Sequence, residues 1–321
     1  MAQAFLLPFE EPLVRLRDRI DELSAVGTPA SELAILEAHL EALTGEIYAR
    51  LSAWEKVQLC RHPLRPTTLD YIGSLIEMFV ELCGDRNFAD DKAIVTGIGS
   101  FRGQSVAIAG HRKGRSAKEN AERNFGMPRP EGYRKAKRLF ELADLFSLPI
   151  VTFIDTAGAH PGLDAEERGQ SEAIGSCIAA LARVTVPVVS LVVGEGGSGG
   201  ALALGVGNRV LLQRFATYSV ITPEGCASIL WRTSARAPDA ADRLKVTSQD
   251  LFSLGAIDNI VDEPARGAHV DPESAIRSVG DAIAASLDSL RHLSPDALRE
   301  HRYARFRAIG RFAGGAPSCD R

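Results

Sequence analysis

The sequence has few cysteines, no long apolar run and no large excess of charge, and each shortage excludes something. Its five cysteines, Cys60, Cys83, Cys177, Cys226 and Cys319, form no Cys-x-x-Cys pair. That argues against a zinc ribbon or a disulfide framework and suits a reducing, cytoplasmic setting. Cys177 and Cys226 read as small buried core residues. No run approaches the length of a membrane span, and the N-terminus lacks the basic and apolar regions of a secretory signal. A formal net charge of −4 over 321 residues carries no nucleic-acid signature, so no DNA partner is expected. Hydrophobic residues make up 45% of the chain, enough to bury one large core.

What the chain has in unusual density is glycine at one place. An apolar, β-branched run from Val186 to Val193 ends in five glycines between Gly194 and Gly200, and a small-residue run starts at Ala201. This reads as a buried strand feeding a tight turn into a helix start. Glycines there let a ligand approach bare backbone N–H groups. Such a turn suits negative charge, on a phosphate or on an oxyanion that develops during a reaction.

Three readings compete for this turn. Gly194-x-Gly196-x-x-Gly199 fits the dinucleotide fingerprint, which also needs an acid about twenty residues on. That zone holds Arg214, Thr217 and Tyr218, with no acid until Glu224. Gly196-x-Ser198-x-Gly200 fits the nucleophile elbow of serine hydrolases. Asp258 or Asp262 followed by His269 would supply the partners in the required order. In the third reading the backbone does the chemistry and Ser198 is incidental.

The rest of the chain divides into parts. Residues 1–75 read as an N-terminal helical segment. Leu33, Leu36, Leu40, Leu43, Ile47 and Leu51 form an apolar stripe on a charged helix, and Leu13, Leu16, Ile20 and Leu23 form a shorter one. Gly27-Thr28-Pro29 separates them, so a helical hairpin is expected, packed on its own domain or on another subunit. His62-Pro63-Leu64-Arg65-Pro66 is a breaker, and Leu69 to Leu82 reads as a further helix. Residues 76–295 read as the main α/β domain. Strands are expected at Ala93–Ile98, Ser105–Ala109, Leu148–Ile154 and Val186–Val193, with helices at Glu131–Phe146 and Glu166–Ala182. The strand–loop–helix plan that starts at Leu148 recurs about 38 residues later, and a third copy is suggested from Arg209 onward. Residues 296–321 read as a C-terminal helix and a frayed tail.

A second concentration of chemistry is Gly110-His111-Arg112-Lys113-Gly114-Arg115-Ser116-Ala117-Lys118. Its cationic side chains around two glycines read either as an anion-binding loop or as a solvated surface turn.

Several long segments resemble one family. They are Phe125-Gly126-Met127-Pro128, Pro130-Glu131-Gly132-Tyr133-Arg134-Lys135-Ala136, Phe153-Ile154-Asp155-Thr156, Glu166-Glu167-Arg168-Gly169-Gln170-Ser171-Glu172-Ala173-Ile174, Gly194 to Ala203, and Tyr218 to Trp231. Together they are similar, in order and from about residue 5 to about 285, to the carboxyltransferase alpha subunit of the bacterial-type, multi-subunit acetyl-CoA carboxylase. The resemblance implies a crotonase-like ββα spiral with an N-terminal helical extension. It implies transfer of a carboxyl group from carboxybiotin, on a biotin carboxyl carrier protein, to acetyl-CoA, giving malonyl-CoA and committing fatty-acid synthesis. It implies a zinc-ribbon beta subunit carrying the main acyl-CoA pocket, a two-alpha, two-beta assembly, and a separate biotin carboxylase for the ATP-dependent step. No metal is implied in this chain.

The resemblance also assigns roles. The backbone N–H groups of Gly199 and Gly200 would form the oxyanion hole. Gly196, Gly197, Ala201, Gly158, Ala159 and His160 would line the substrate site. Arg112, Lys113 and Arg115 would lie near the CoA phosphates or the carboxylate. One loop departs from the family pattern: Pro-Gly-Ala-Tyr-Pro-Gly is replaced by Ala157-Gly158-Ala159-His160-Pro161-Gly162. Alanine loosens the backbone slightly relative to proline. The histidine is either a titratable group at the site or a packing replacement.

Overall fold

The computed structural model describes residues 5–310. Among the described residues, a 3-10 turn at Pro8–Glu10 leads into four α-helices: α1 (Glu11–Ala25), α2 (Ala30–Ala49), α3 (Ala53–Cys60) and α4 (Thr68–Leu75). Gly27, at φ +81, turns α1 into α2. Ser52 and Glu55 form a reciprocal capping box that starts α3. The expected hairpin is present. Leu13 and Ile20 of α1 and Leu40 and Tyr48 of α2 are buried together with Leu51, Leu59 and Phe215. The inner edge of the leucine stripe therefore packs on its own chain, while Leu33, Leu36, Leu43 and Ile47 are only partly covered.

Eight strands follow: β1 (Glu77–Glu81), β2 (Ile94–Phe101), β3 (Gln104–His111), β4 (Ile150–Thr156), β5 (Val188–Gly197), β6 (Arg209–Gln213), β7 (Thr217–Ser219) and β8 (Asn259–Val261). The helices between and after them are α5 (Ala117–Glu122), α6 (Pro130–Leu145), α7 (Leu163–Glu167), α8 (Gln170–Arg183), α9 (Ser198–Leu202), α10 (Pro223–Trp231), α11 (Ala237–Leu244), α12 (Ser248–Ser253), α13 (Pro272–Leu290) and α14 (Pro295–Arg307). The sheet order is β1-β2-β3-β4-β5-β6-β8, and β7 pairs with the far end of β5. The first three strands are antiparallel and the remaining pairings are parallel. β2 and β3 join through Arg102 (φ 50) and Gly103 (φ 80), the paired positive φ angles that a two-residue hairpin turn requires.

Both faces of the sheet are covered, which is why β4 and β5 read as nearly continuous apolar runs. Side chains alternate between two cores. Ile150, Ile154, Val188 and Val192 face Tyr133, Leu139 and Phe140 of α6 and Cys177 and Leu181 of α8. Val151, Phe153, Val189 and Leu191 face Tyr71 and Ile72 of α4 and Val279, Ile283 and Leu287 of α13. The C-terminal helix is anchored by Arg302, which is 1% exposed and donates to the carbonyls of Val184 (2.8 Å) and Val186 (2.9 Å). The predicted tail beyond it, with Cys319, lies outside the described residues.

Three element assignments differ from the sequence reading. The helix expected over Leu69–Leu82 stops at Leu75, and the rest is the edge strand β1. The cause is tertiary. Ile76 and Phe79 pack into the space left by the missing side chains of Gly99 and Gly97 on β2, and local propensity yields to that contact. The helix expected over Glu166–Ala182 is two, broken at Gly169 with φ +78. The strand expected to end at Val193 runs on through the glycines to Gly197, because its far end pairs with β7.

Candidate active site

β4 and β5 are adjacent and parallel, so their C-terminal ends open on one edge of the sheet. They pair from Ile150↔Val188 to Ile154↔Val192, the offset of the sequence repeat, and then jump to Thr156↔Gly196. This is a bulge in β5. Within it, the missing side chain of Gly194 leaves the space that the Asp155 carboxylate occupies. That carboxylate accepts the Glu195 N–H at 3.0 Å and the Lys113 ammonium at 2.6 Å.

The turn that follows lies against the loop after β4. A Cβ on Gly200 would stand 2.6 Å from Gly158 C and 2.7 Å from Ala159 N, and one on Gly197 would overlap the Ala157 carbonyl. These two glycines are thus required by backbone-on-backbone packing. Gly196 makes room for the Tyr218 ring, 2.8 Å from where its Cβ would be. Gly199 differs: a Cβ there would meet only Ile174, at 3.6 Å. The Thr156 hydroxyl braces the facing loop by donating to the Gly158 carbonyl (2.7 Å) and accepting the Gly158 N–H (3.1 Å). Gly158 itself has φ +152, which side-chain-bearing residues rarely adopt.

The turn reaches the surface. Ser198 is exposed, Gly199 half-buried, and Gly200 and Ala201 buried. α9 is only five residues long, so the N–H groups of its first residues, Gly199 and Gly200 among them, have no carbonyl within the helix to bond. The structure thus brings Gly197 and Gly200 against Ala157, Gly158 and Ala159, while Gly196 faces Tyr218, Gly199 faces Ile174, and Ala201 is buried behind them in α9. His160 is fastened at the outer end of that loop. Its N–H donates to the Pro128 carbonyl (2.9 Å), its carbonyl accepts from Gln170 (2.9 Å), and its ring lies 3.6 Å from Asp164.

Three cations of the basic segment after β3 are already paired. Lys113 bonds Asp155 behind the turn, Arg115 makes two 2.6 Å contacts to Asp70, and Arg112 lies 3.5 Å from Glu81. Only Lys113 of the three reaches the residues that support the glycines. Its stem fills the space left by the missing side chain of Gly126. Burial alone would lower the Lys113 pKa, but the Asp155 carboxylate beside it raises it above the usual value. His111, fully buried, accepts the Asp155 N–H on Nδ1 at 3.4 Å. Burial pushes its pKa down to about 4, so the ring is neutral.

Sequence reasoning missed the contact that ties the N-terminal helices to this site. Arg61, directly after α3, donates from Nε (3.1 Å) and Nη2 to the Glu195 carboxylate, and from Nη1 to Glu224 at the start of α10. Glu195 and Glu224 stand in the quoted motifs, but Arg61 stands in none, and 134 residues separate it from Glu195. No local signal could have joined them.

The hydrolase arrangement is not assembled. Asp258 accepts the Val210 N–H (2.6 Å) and the Arg305 guanidinium (2.7 Å), while Asp262 is exposed. The His269 ring packs on His62 with centroids 4.0 Å apart, next to the N-terminal helices. Among the described residues, no histidine or carboxylate bonds the Ser198 hydroxyl. The fold pairs β8 with β6 and sends the segment after it to the N-terminal helices, where Arg266 lies 3.8 Å from Glu10, rather than to the turn.

Comparison with known proteins gives the family and the fold. The family described as acetyl co-enzyme A carboxylase carboxyltransferase-like matches residues 6–310. The acetyl-coenzyme A carboxylase carboxyl transferase subunit alpha of Sorangium cellulosum is 56% identical over 97% of this chain and 99% of its own length. The subunit of the same name from Thermus thermophilus is 52% identical over 96% of this chain and 99% of its own. Among solved structures, the transcarboxylase 12S core superposes with a TM-score of 0.56 at 21% identity, over 70% of this chain and 41% of that one. A Pseudomonas malonate decarboxylase hetero-tetramer in complex with coenzyme A superposes with a TM-score of 0.56 at 16% identity, over 69% and 91%. These likenesses carry the fold, a carboxyltransferase-type, crotonase-like α/β spiral.

Proposed function

The chain belongs to the family of acetyl-CoA carboxylase carboxyltransferase alpha subunits, and on that premise we propose that its glycine turn holds the oxygen that becomes negative during carboxyl transfer. As an alpha subunit it is part of a biotin-dependent carboxyltransferase and works with a beta subunit. The serine hydrolase reading falls with the family assignment and with the scattered Asp258, Asp262 and His269.

Carboxybiotin on its carrier protein supplies, when bound, the carboxyl group for acetyl-CoA and a ureido oxygen on which charge gathers. In this reading the N–H groups of Gly199 and Gly200 donate to that oxygen. Gly196, Gly197 and Ala201 keep side chains out of the approach. Gly158 and Ala159 form the opposing wall, and His160 shapes its outer end. Preorganised donors of this kind are worth about 10²–10³ in rate each. No side-chain nucleophile is needed, which fits an exposed, unpartnered Ser198. Arg112 and Arg115, each held by a surface carboxylate, stand where an incoming CoA phosphate could exchange with that carboxylate.

Further parts of the proposal rest on the family. The beta subunit carries the zinc ribbon, the main acyl-CoA pocket and the hole for the acetyl enolate. The assembly holds two alpha and two beta subunits in the cytoplasm, fed by biotin carboxylase. Within the chain, residues 1–75 act as a helical segment, 76–295 as the carboxyltransferase domain and 296–321 as a C-terminal helix and tail.

The observation that carries this reading is the bare backbone of the turn, which is exposed at Ser198, half-buried at Gly199 and packed at Gly200 against Gly158 and Ala159. Because one turn serves one of two charge-bearing oxygens, the isolated chain is expected to be inactive. Malonyl-CoA decarboxylation with free biotin should appear only when the beta subunit is added. Full activity from this chain alone would refute the division of labour.

A further inference from the structure

The glycine turn is held from behind by a residue of the N-terminal helical segment. Arg61 grips Glu195, between Gly194 and Gly196, through Nε and Nη2, and grips Glu224 through Nη1. A guanidinium can bridge two carboxylates in a fixed plane, which a lysine ammonium cannot do. Glu195 is also held through its backbone, since its N–H donates to Asp155 at 3.0 Å. Asp155 in turn is fixed by Lys113 at 2.6 Å. Two cations, Arg61 and Lys113, and two further carboxylates, Glu224 and Asp155, therefore fix the residue that sets the position of Gly196, Gly197 and the turn. Glu195 is buried and the Arg61 side chain is 29% exposed, so solvent screens the contact only partly.

Building on the proposed role of the turn, we propose that Arg61 is a positioning residue for carboxyl transfer: it sets the glycine turn through Glu195 and aligns the start of α10 through Glu224. The N-terminal segment then does more than dock on the spiral. Its α3 ends where a side chain can reach the support of the donor groups. Glu224 is held below the usual carboxylate range: burial pushes it up, but the hydrogen bond and charge of Arg61, together with a backbone hydrogen bond, pull it down further.

The test is Arg61→Gln in the reconstituted alpha–beta assembly, assayed by malonyl-CoA decarboxylation with free biotin. Displacing reacting groups by about 1 Å costs about 10²-fold, so a kcat loss of about 10- to 100-fold is expected. The KM values for malonyl-CoA and biotin should change by less than about threefold, with assembly mass and circular dichroism as in the wild type. Arg61→Lys keeps the charge but only one contact, and should fall between the two; it carries the test if Arg61→Gln does not assemble. A wild-type kcat in an assembled Arg61→Gln or Arg61→Lys enzyme, or a loss confined to KM, overturns the inference. Gly200→Val in the same assay separates the two ideas. If it is inactive while Arg61→Gln is normal, only the role of Arg61 fails. If Gly200→Val is fully active, the role of the turn fails as well.

Discussion

Gly200→Ala is the most direct probe of why the turn is built from glycine. A methyl group there would stand 2.6 Å from Gly158 C, 2.7 Å from Ala159 N and 3.0 Å from Gly158 O. Ordinary contact is about 3.5–4.0 Å, so the facing loop must retreat by roughly 1 Å. These are backbone atoms, and the Thr156 hydroxyl ties them down through two hydrogen bonds, so the strain has no cheap outlet. Overpacking of this kind costs about 1–3 kcal/mol. For a chain of this length that is a fall of only a few degrees in Tm. Activity should suffer far more, since a shift of about 1 Å at a reacting group costs about 10²-fold in rate. The control is Gly199→Ala, where the nearest atom is Ile174 Cγ2 at 3.6 Å and stability should be nearly unchanged. Differential scanning fluorimetry and kcat in the reconstituted assembly give both readouts. A Gly200→Ala enzyme with wild-type Tm would refute the packing argument. One with lowered Tm but wild-type kcat would show that the spacing between the two loops does not matter for catalysis.

Two further outcomes follow from the same geometry. Ser198→Ala should keep carboxyl transfer within about tenfold, since only an exposed hydroxyl is lost, and a fluorophosphonate probe should leave the wild-type chain unlabelled; covalent labelling at Ser198 with an inactive alanine variant would restore the hydrolase reading. Buried, neutral His111 has its pKa depressed to about 4 from an unfolded value of about 6.5, so its contribution is complete above about pH 6.5 and is lost as pH falls toward 4. At pH 5.5 the loss is on the order of 1 kcal/mol, and His111→Asn, which keeps an acceptor for the Asp155 N–H, should flatten the fall of Tm between pH 7 and 5.5; an unchanged slope would show that another group titrates.

Much of the fold is legible in local pattern. The apolar runs at Ile150–Ile154 and Val188–Val193 could only be strands covered on both faces, because period-two alternation within them serves two cores. The repeat offset of about 38 residues already contained the parallel register, and the glycine density between Gly194 and Gly200 singled out the candidate turn. Each of these depends on neighbours in sequence, and so sequence alone reveals them. What tertiary structure decided depends on residues far apart in the chain. Glu77–Glu81 becomes a strand because Gly97 and Gly99 receive the side chains of Phe79 and Ile76, against the local helical spacing. Arg112, Lys113 and Arg115 are conspicuous in sequence as loop cations, yet Glu81, Asp155 and Asp70 pair with them in space. The glycines also divide only in three dimensions: Gly197 and Gly200 admit the 157–159 backbone, Gly194 admits the Asp155 carboxylate, and Gly199 alone meets no close neighbour. Arg61 carries no motif at all, and it joins the site because α3 happens to end beside β5. Local spacing encodes which element forms; the energy of packing one backbone against another, or one charge against its partner, exists only once the chain has closed on itself.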